Sequence, residues 1–138
     1  MKKIILLACV GKKQQQKTKA SNLYISNWFK LALSYAKILK PDCIFILSAK
    51  YGLLDLDIEI EPYNFTLNKM TSAERKDWAD KVVDQLKEKT DVENDRFVFL
   101  AGQKYRENLI SQLKNYEIPL KNLAIGKQLQ RLKVLLHE

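Results

Sequence analysis

The stretch SAKYGLLDLDIEIEPY, residues 48–63, brings together side chains that could hold a ligand or move a proton. Ser48 offers a hydroxyl, Lys50 an ammonium that could meet a phosphate or developing negative charge, and Tyr51 an aromatic face for a base. Four acids follow at every second position: Asp55, Asp57, Glu59 and Glu61. Carboxylates suit a hard cation such as Mg²⁺, but acids on one face of a strand rarely converge on one ion, and no second ligand cluster accompanies them. No metal and no cofactor is therefore expected. A strand with one wet face, at a sheet edge where charge deters aggregation, is the simpler reading. Glu61 differs from the other three because it leads into Pro62 and Tyr63. Proline fixes a turn there, which aims Glu61 and Tyr63 at the site. The plainer alternative for SAKYG is structural: Gly52 makes a turn, Ser48 caps it, and Tyr51 packs on the sheet.

Two further segments have similar chemistry. VGKKQQQK (10–17) holds Gly11, Lys12 and Lys13, whose backbone amides and ammonium groups could hold a phosphate; neither GxxxxGK[ST] nor GxGxxG is present, and a solvated loop is the alternative. AGQKYRE (101–107) puts Gln103, Lys104 and Arg106 at the start of a helix, where positive side chains are unfavourable unless an anion is bound. Ordinary surface charge would also account for them. Cys9 reads as a core residue rather than a nucleophile, since no histidine stands nearby to activate it.

The chain has 138 residues, which suits one domain, residues 1–138. Its one histidine is His137, so a Ser–His–Asp triad, a Cys–His pair and a histidine-ligated metal are excluded as readings. Two cysteines make no disulfide framework and fit a reduced, cytoplasmic protein. No apolar run approaches the roughly 20 residues of a membrane span, and MKKIILLACV, which lacks a following small-residue cleavage site, reads as a first core strand. The net charge is +8, unevenly spread: residues 1–40 hold nine lysines and no acid, and residues 96–138 hold eight bases and three acids. If those two basic ends meet in space, they form a surface for phosphate, in nucleic acid or a nucleotide.

Apolar spacing gives the elements that would position these groups. KIILLAC (3–9), CIFILS (43–48) and RFVFLAG (96–102) read as buried strands, with a short fourth within 117–124. Helices are expected over 27–39 with Ser26 as cap, from a Thr71/Glu74 capping box to Lys89, over 103–115, and after Gly126. Residues 49–70 read as irregular or mixed. Strands apolar on both faces, alternating with helices, make a three-layer α/β/α sandwich around a mostly parallel sheet of about four strands. Ligands of such sheets bind beyond the carboxyl ends of the strands, and the three segments above fall at that edge.

The residues LLACVGKK, LYIS-NWF, LSAKYGLLDLDIEIEPYNFTL, LAGQKYRENL and IGKQLQRL resemble, in order and over nearly the whole chain, an uncharacterised family of small bacterial and phage domains. That pattern has a CGKKK-like start, LY-S--F, SAKYGLL, EPYD-TL, AG--Y---L and a closing GIG-QL--L; here CVGKK replaces CGKKK, and Asn64 stands where Asp is frequent. The pattern is similar, more distantly, to the YaaA peroxide-stress proteins, associated with DNA protection. The arrangement also resembles the uracil-DNA-glycosylase-like fold, including the domain attached to archaeal tRNA-guanine transglycosylases. These resemblances imply a nucleobase or nucleic-acid ligand. They mark Tyr24, Ser26, Gly102, Tyr105 and Gln128 as binding positions beside Gly11, Lys12, Lys13, Tyr51, Gly52, Tyr63 and Lys104.

Two expectations follow. The first is an N-glycosylase-like enzyme acting on a base in DNA or a nucleotide. It needs a carboxylate near the sugar (Glu61, with Asp55 as alternative), a donor to the leaving base (Lys50 or Ser48), an aromatic platform (Tyr51, Tyr63) and phosphate holders (Lys12, Lys13, Lys104). The second is a module that binds DNA or a nucleotide without turnover. A partner-binding domain, whose loop motifs only shape the fold, is a third reading.

Overall fold

β1, Lys3–Ala8, runs through the middle of the sheet because both its faces are apolar: Ile4, Ile5, Leu6 and Leu7 are all fully buried. The computed structural model describes residues 1–8 and 13–137. β1 is followed by β2 (Thr18–Lys19), α1 (Ala20–Leu23) and α2 (Asn27–Ile38). Then come β3 (Cys43–Ser48), β4 (Gly52–Asp55), β5 (Glu59–Ile60), a 3-10 turn (Leu67–Lys69) and α3 (Ser72–Lys89). β6 (Arg96–Leu100), α4 (Gln103–Ile110), β7 (Asn115–Glu117) and α5 (Ile125–Leu136) complete the chain. No helix among the described residues is long and apolar enough to cross a membrane.

The central sheet has the order β4-β3-β1-β6-β7. β3, β1, β6 and β7 are parallel, and β4 is antiparallel to β3. Because successive side chains of a strand point to opposite faces, each strand feeds two cores. Ile4, Leu6, Phe45, Leu47, Phe97 and Phe99 pack under α3 and α4 with Trp78, Val82, Leu86, Tyr105 and Leu109. Ile5, Leu7, Ile46, Val98 and Leu100 pack under α1, α2 and α5 with Leu23, Phe29, Ala32 and Leu132. The expected three-layer α/β sandwich is therefore present. Two helix starts also form as the sequence indicates: Ser26 Oγ accepts from Phe29 N (3.2 Å), and Thr71 and Glu74 make a reciprocal capping box.

The sheet has five strands, the fifth formed because Gly52 turns the chain back beside β3 with φ of +77°. Two expectations are corrected. The acidic alternation 55–61 is not one exposed strand: it is split between the end of β4, a turn, and β5, which pairs with β2 in a separate two-stranded sheet. Helix α4 ends at Ile110, and the strand after it is Asn115–Glu117, ahead of the expected 117–124. Pro119 lacks an N–H for the ladder, which keeps that strand from running on. Leu113 is buried, so its apolar side chain continued the helical pattern although it lies past the helix end.

The edge strand β4 is protected on its open side. Leu53 N donates to Gln85 Oε1 of α3 (2.9 Å), and Asp55 pairs with Lys89 (3.0 Å). Gly52 is favoured because its backbone is left-handed, and a Cβ there would stand 2.4 Å from Gln85 Oε1, whose side chain would have to shift and loosen its bond to Leu53 N. Gly52→Ala is expected to lower stability by about 1–3 kcal/mol in urea unfolding, and adding Gln85→Ala should recover only part of the loss, since the positive φ remains.

Candidate functional site

The parallel strands β1, β3 and β6 all end at one edge of the sheet. β1 and β6 are neighbours, yet the chain leaves β1 for α2 on one face and leaves β6 for α4 on the other. A crevice opens outside the carboxyl ends wherever neighbouring strands diverge in this way. The helices that follow begin at the same edge, so the positive ends of their dipoles face it. Neither α4 nor α5 has a side-chain cap or an acid in its first turn.

On the α2 side of this edge lies a cluster of hydroxyls and rings. Ser48, the last residue of β3, is fully buried. Its Oγ accepts from Lys50 N (3.2 Å) and Tyr51 N (3.0 Å), which forms the SAKYG turn, and donates to Tyr63 Oη (3.0 Å). Its carbonyl accepts from Trp78 Nε1 (2.9 Å). Tyr63 Oη is 2.6 Å from Tyr24 Oη. The ring of Tyr51 meets Tyr63 edge-on with centroids 5.8 Å apart, and Tyr24 packs on Phe29 at 5.2 Å. Lys13 Nζ lies 4.7 Å from the Tyr63 ring centroid and 5.7 Å from that of Tyr24; Lys50 Nζ lies 5.2 Å from that of Tyr51. These are cation–π distances. Lys13 is held there by a bridge to Tyr24 and by the Gln14 N–H bonded to Leu23 O (2.8 Å). Lys13, Gln14, Gln15, Pro62, Tyr63 and Asn64 line an open cleft of about 500 Å³.

On the α4 side a second cleft of about 370 Å³ is lined by Ala8, Asn68, Arg75, Gly102, Gln103, Lys104, Tyr105 and Glu107. Arg75 is held by Glu107 (3.2 Å), by Met70 O and by Ser72 Oγ. Tyr105 is buried edge-on against Trp78 at 5.7 Å. Trp78 thus touches both sides of the edge, through Ser48 O and through Tyr105. Arg106 folds back to Ala101 O (2.7 Å), and burial pulls its guanidinium below the usual arginine value, though it stays charged.

The sequence-derived residues divide accordingly. Ser48, Lys50, Tyr51, Gly52, Tyr63, Tyr24 and Lys13 come together, and the structural reading of SAKYG holds: Ser48 closes the turn and Gly52 turns the chain back. Gly102, Lys104 and Tyr105 lie at the second cleft. Ser26 caps α2, and Gln128 accepts from Trp28 Nε1 (2.9 Å) while donating to Leu123 O (2.8 Å), which ties α5 to α2. Glu61 is exposed beside Pro62 and lines neither cleft. Asp55 lies down β4, opposite Phe45, with its carboxylate on Lys89. Cys9, Gly11 and Lys12 lie outside the described residues. No three His, Cys, Asp or Glu side chains converge among the described residues. Sequence reasoning assigned no site role to Trp78, Gln85, Arg75, Asn68, Gln14 or Gln15. Trp78 lies on the buried inner face of α3, and only its indole N–H, a donor that needs a partner when buried, hinted at more.

Residues 4–134 match the model of a family of unknown function (DUF6884), and the chain belongs to that family. No curated protein matches it.

Removing the Ser48 hydroxyl would strip a partner from two backbone N–H groups and from Tyr63 at once. Ser48→Ala should therefore cost about 1–3 kcal/mol in urea unfolding, whereas Ser26→Ala should cost about 1 kcal/mol, the worth of one helix cap.

Proposed function

We propose that this member of the DUF6884 family is directed at nucleic acid or a nucleotide, taking a base against Tyr51 and Tyr63 and phosphate at Lys13 and Lys50. The observation that carries this reading is the alternation of cations and rings at the carboxyl end of β3, with Lys13 over Tyr63, Tyr63 against Tyr51, and Lys50 over Tyr51. Single-stranded nucleic acid is held by this combination, bases on aromatic faces and backbone on positive side chains. The uneven charge supports it, since Lys13 and Lys50 stand at the edge where Lys104 of α4 and Lys127 of α5 also begin their helices. Likeness of the motifs to the YaaA proteins and to the glycosylase-like arrangement points the same way, although kinship of fold does not establish an activity.

The catalytic form of this reading is cleavage of an N-glycosidic bond. Lys50 or the Ser48–Tyr63 hydroxyl pair would support the leaving base and Glu61 the sugar or water. A specific observation favours binding without turnover as the second reading: Asp55 is taken up by Lys89, and Glu61 lies outside both clefts.

One set of measurements separates them. Affinity for a DNA oligonucleotide should fall steeply with salt. Lys13→Ala and Lys50→Ala should each weaken binding and reduce the salt slope by about one, and Tyr51→Ala should cost about 1–3 kcal/mol of binding. Mass spectrometry of oligonucleotides with normal and modified bases should detect free base, abolished by Glu61→Gln, if the protein is a glycosylase. Salt-sensitive binding without released base on a broad panel leaves the binding module, and no binding to any nucleic acid or nucleotide refutes the proposal.

A further inference from the structure

We propose that the ligand of this site is a single-stranded oligonucleotide, whose chain runs on from Tyr63 along one groove to Lys30 of α2; a free nucleotide would fill only the first part of that groove. This substrate class rests on the nucleic-acid reading above. The clefts on the α2 side are continuous. The one at Tyr63 shares Lys13, Gln14 and Gln15 with a second, of about 760 Å³, that also reaches Gln16 and Ile25. Gln14 and Ile25 in turn line a third, of about 480 Å³, which extends to Lys30 and Ser34. A groove that continues past the first cleft has room for more than one nucleotide.

Backbone pairing fixes both walls of the groove. Lys13 bridges to Tyr24, and Gln14 N donates to Leu23 O (2.8 Å). Further along, Thr18 stands opposite Ile60, and Ala20 N donates to Ile58 O (2.8 Å). Gln14, Gln15 and Gln16, exposed between these ties, line one side. Lys30, Leu33 and Ser34, spaced three and four residues apart on one face of α2, line the other. The chemistry of the lining fits a sugar–phosphate chain. Lys13 and Lys30 meet phosphate charge, while amides (Gln14, Gln15) and hydroxyls (Ser21, Ser34) bond phosphate or sugar oxygens. Such side chains position a nucleic acid without reading its sequence. No acid lines any of the three clefts among the described residues, and residues 1–40 contain none. The rings of Tyr51 and Tyr63 at the start of the groove favour bases over the carboxylates of an acidic peptide. They also favour an unpaired strand, because bases stacked within a duplex do not turn their faces to a protein ring.

Calorimetric titration of the full chain with DNA and RNA strands of increasing length, from the mononucleotide upward, tests this. Affinity should rise by about tenfold or more and level off at about four nucleotides or longer. Lys30→Ala and Ser34→Glu, both at exposed positions of α2, should weaken the longer strands and leave the mononucleotide unchanged. Lys30→Ala should also lower the salt slope of the longer strands by about one. Lys13→Ala should weaken strands of every length. Circular dichroism confirms that each variant is folded, and if one α2 variant does not fold, the other decides. A mononucleotide bound as tightly as the longest strand, or α2 variants that do not discriminate between lengths, overturns the inference and leaves the base and phosphate site standing. A duplex of the same sequence, or a poly-glutamate peptide, bound as tightly as the single strand also overturns it. No binding of any strand or nucleotide refutes the proposed function itself, and this substrate class with it.

Discussion

Ser48 is a fully buried polar residue at the end of a buried strand, and every polar group it brings inside needs a partner. Its hydroxyl closes the turn that reverses the chain, its proton goes to Tyr63, and its carbonyl is taken by Trp78. Those bonds reach the turn after β3, the return segment at 62–64, and helix α3. The turn carries Tyr51 and Lys50 and delivers Gly52 into β4; the return segment carries Tyr63 under Lys13; α3 carries Gln85 to the open edge of β4. One residue therefore couples the end of the sheet to both faces and to the candidate site.

The site follows from the topology as much as from the side chains. Parallel strands place their exits at one edge, and divergence of the chain after β1 and β6 opens that edge between two helical layers. Polar side chains gathered there meet the amino ends of helices, so the local field is positive before any lysine is counted. Lys13, Lys50 and Lys104 add to it. The acids of the 55–61 run lie elsewhere: Asp55 on Lys89 guards an edge strand, while Asp57, Glu59 and Glu61 are exposed. Their spacing in sequence suggested a common role, and the break of the chain at the turn 56–57 separates them.

The layers were legible because their signals are long. Ile4–Leu7, Phe45–Leu47 and Phe97–Leu100 are apolar without interruption, as only strands buried on both faces are, and the Thr71–Glu74 box marks its helix start to the residue. What was not legible is short or made of distant partners. Thr18–Lys19, Ala20–Leu23 and Glu59–Ile60 are too brief to show a period, and they form because they bind one another, through Thr18 opposite Ile60 and the Ala20 N–H on Ile58 O. In the site, SAKYG, EPY and the lysine at 13 were visible as residue types at a strand end. The bonds that join Tyr24, Ser48 and Tyr63 were not, because they depend on how 62–64 returns over the sheet. Glu61 was aimed at the site by the proline that follows it; the segment 62–64 instead delivers Tyr63 and leaves Glu61 exposed.

The central claim is that ligand enters at the carboxyl edge beside Ser48. Backbone amide NMR of the labelled protein, titrated with a single-stranded DNA oligonucleotide, reads the location directly. The account predicts the largest shifts at Lys13–Gln15, Lys50–Gly52 and Tyr63–Asn64, with smaller ones at Gly102–Lys104. Shifts concentrated at the opposite edge of the sheet, around Asp42 and Asp95, or spread evenly over the surface lysines, would contradict it.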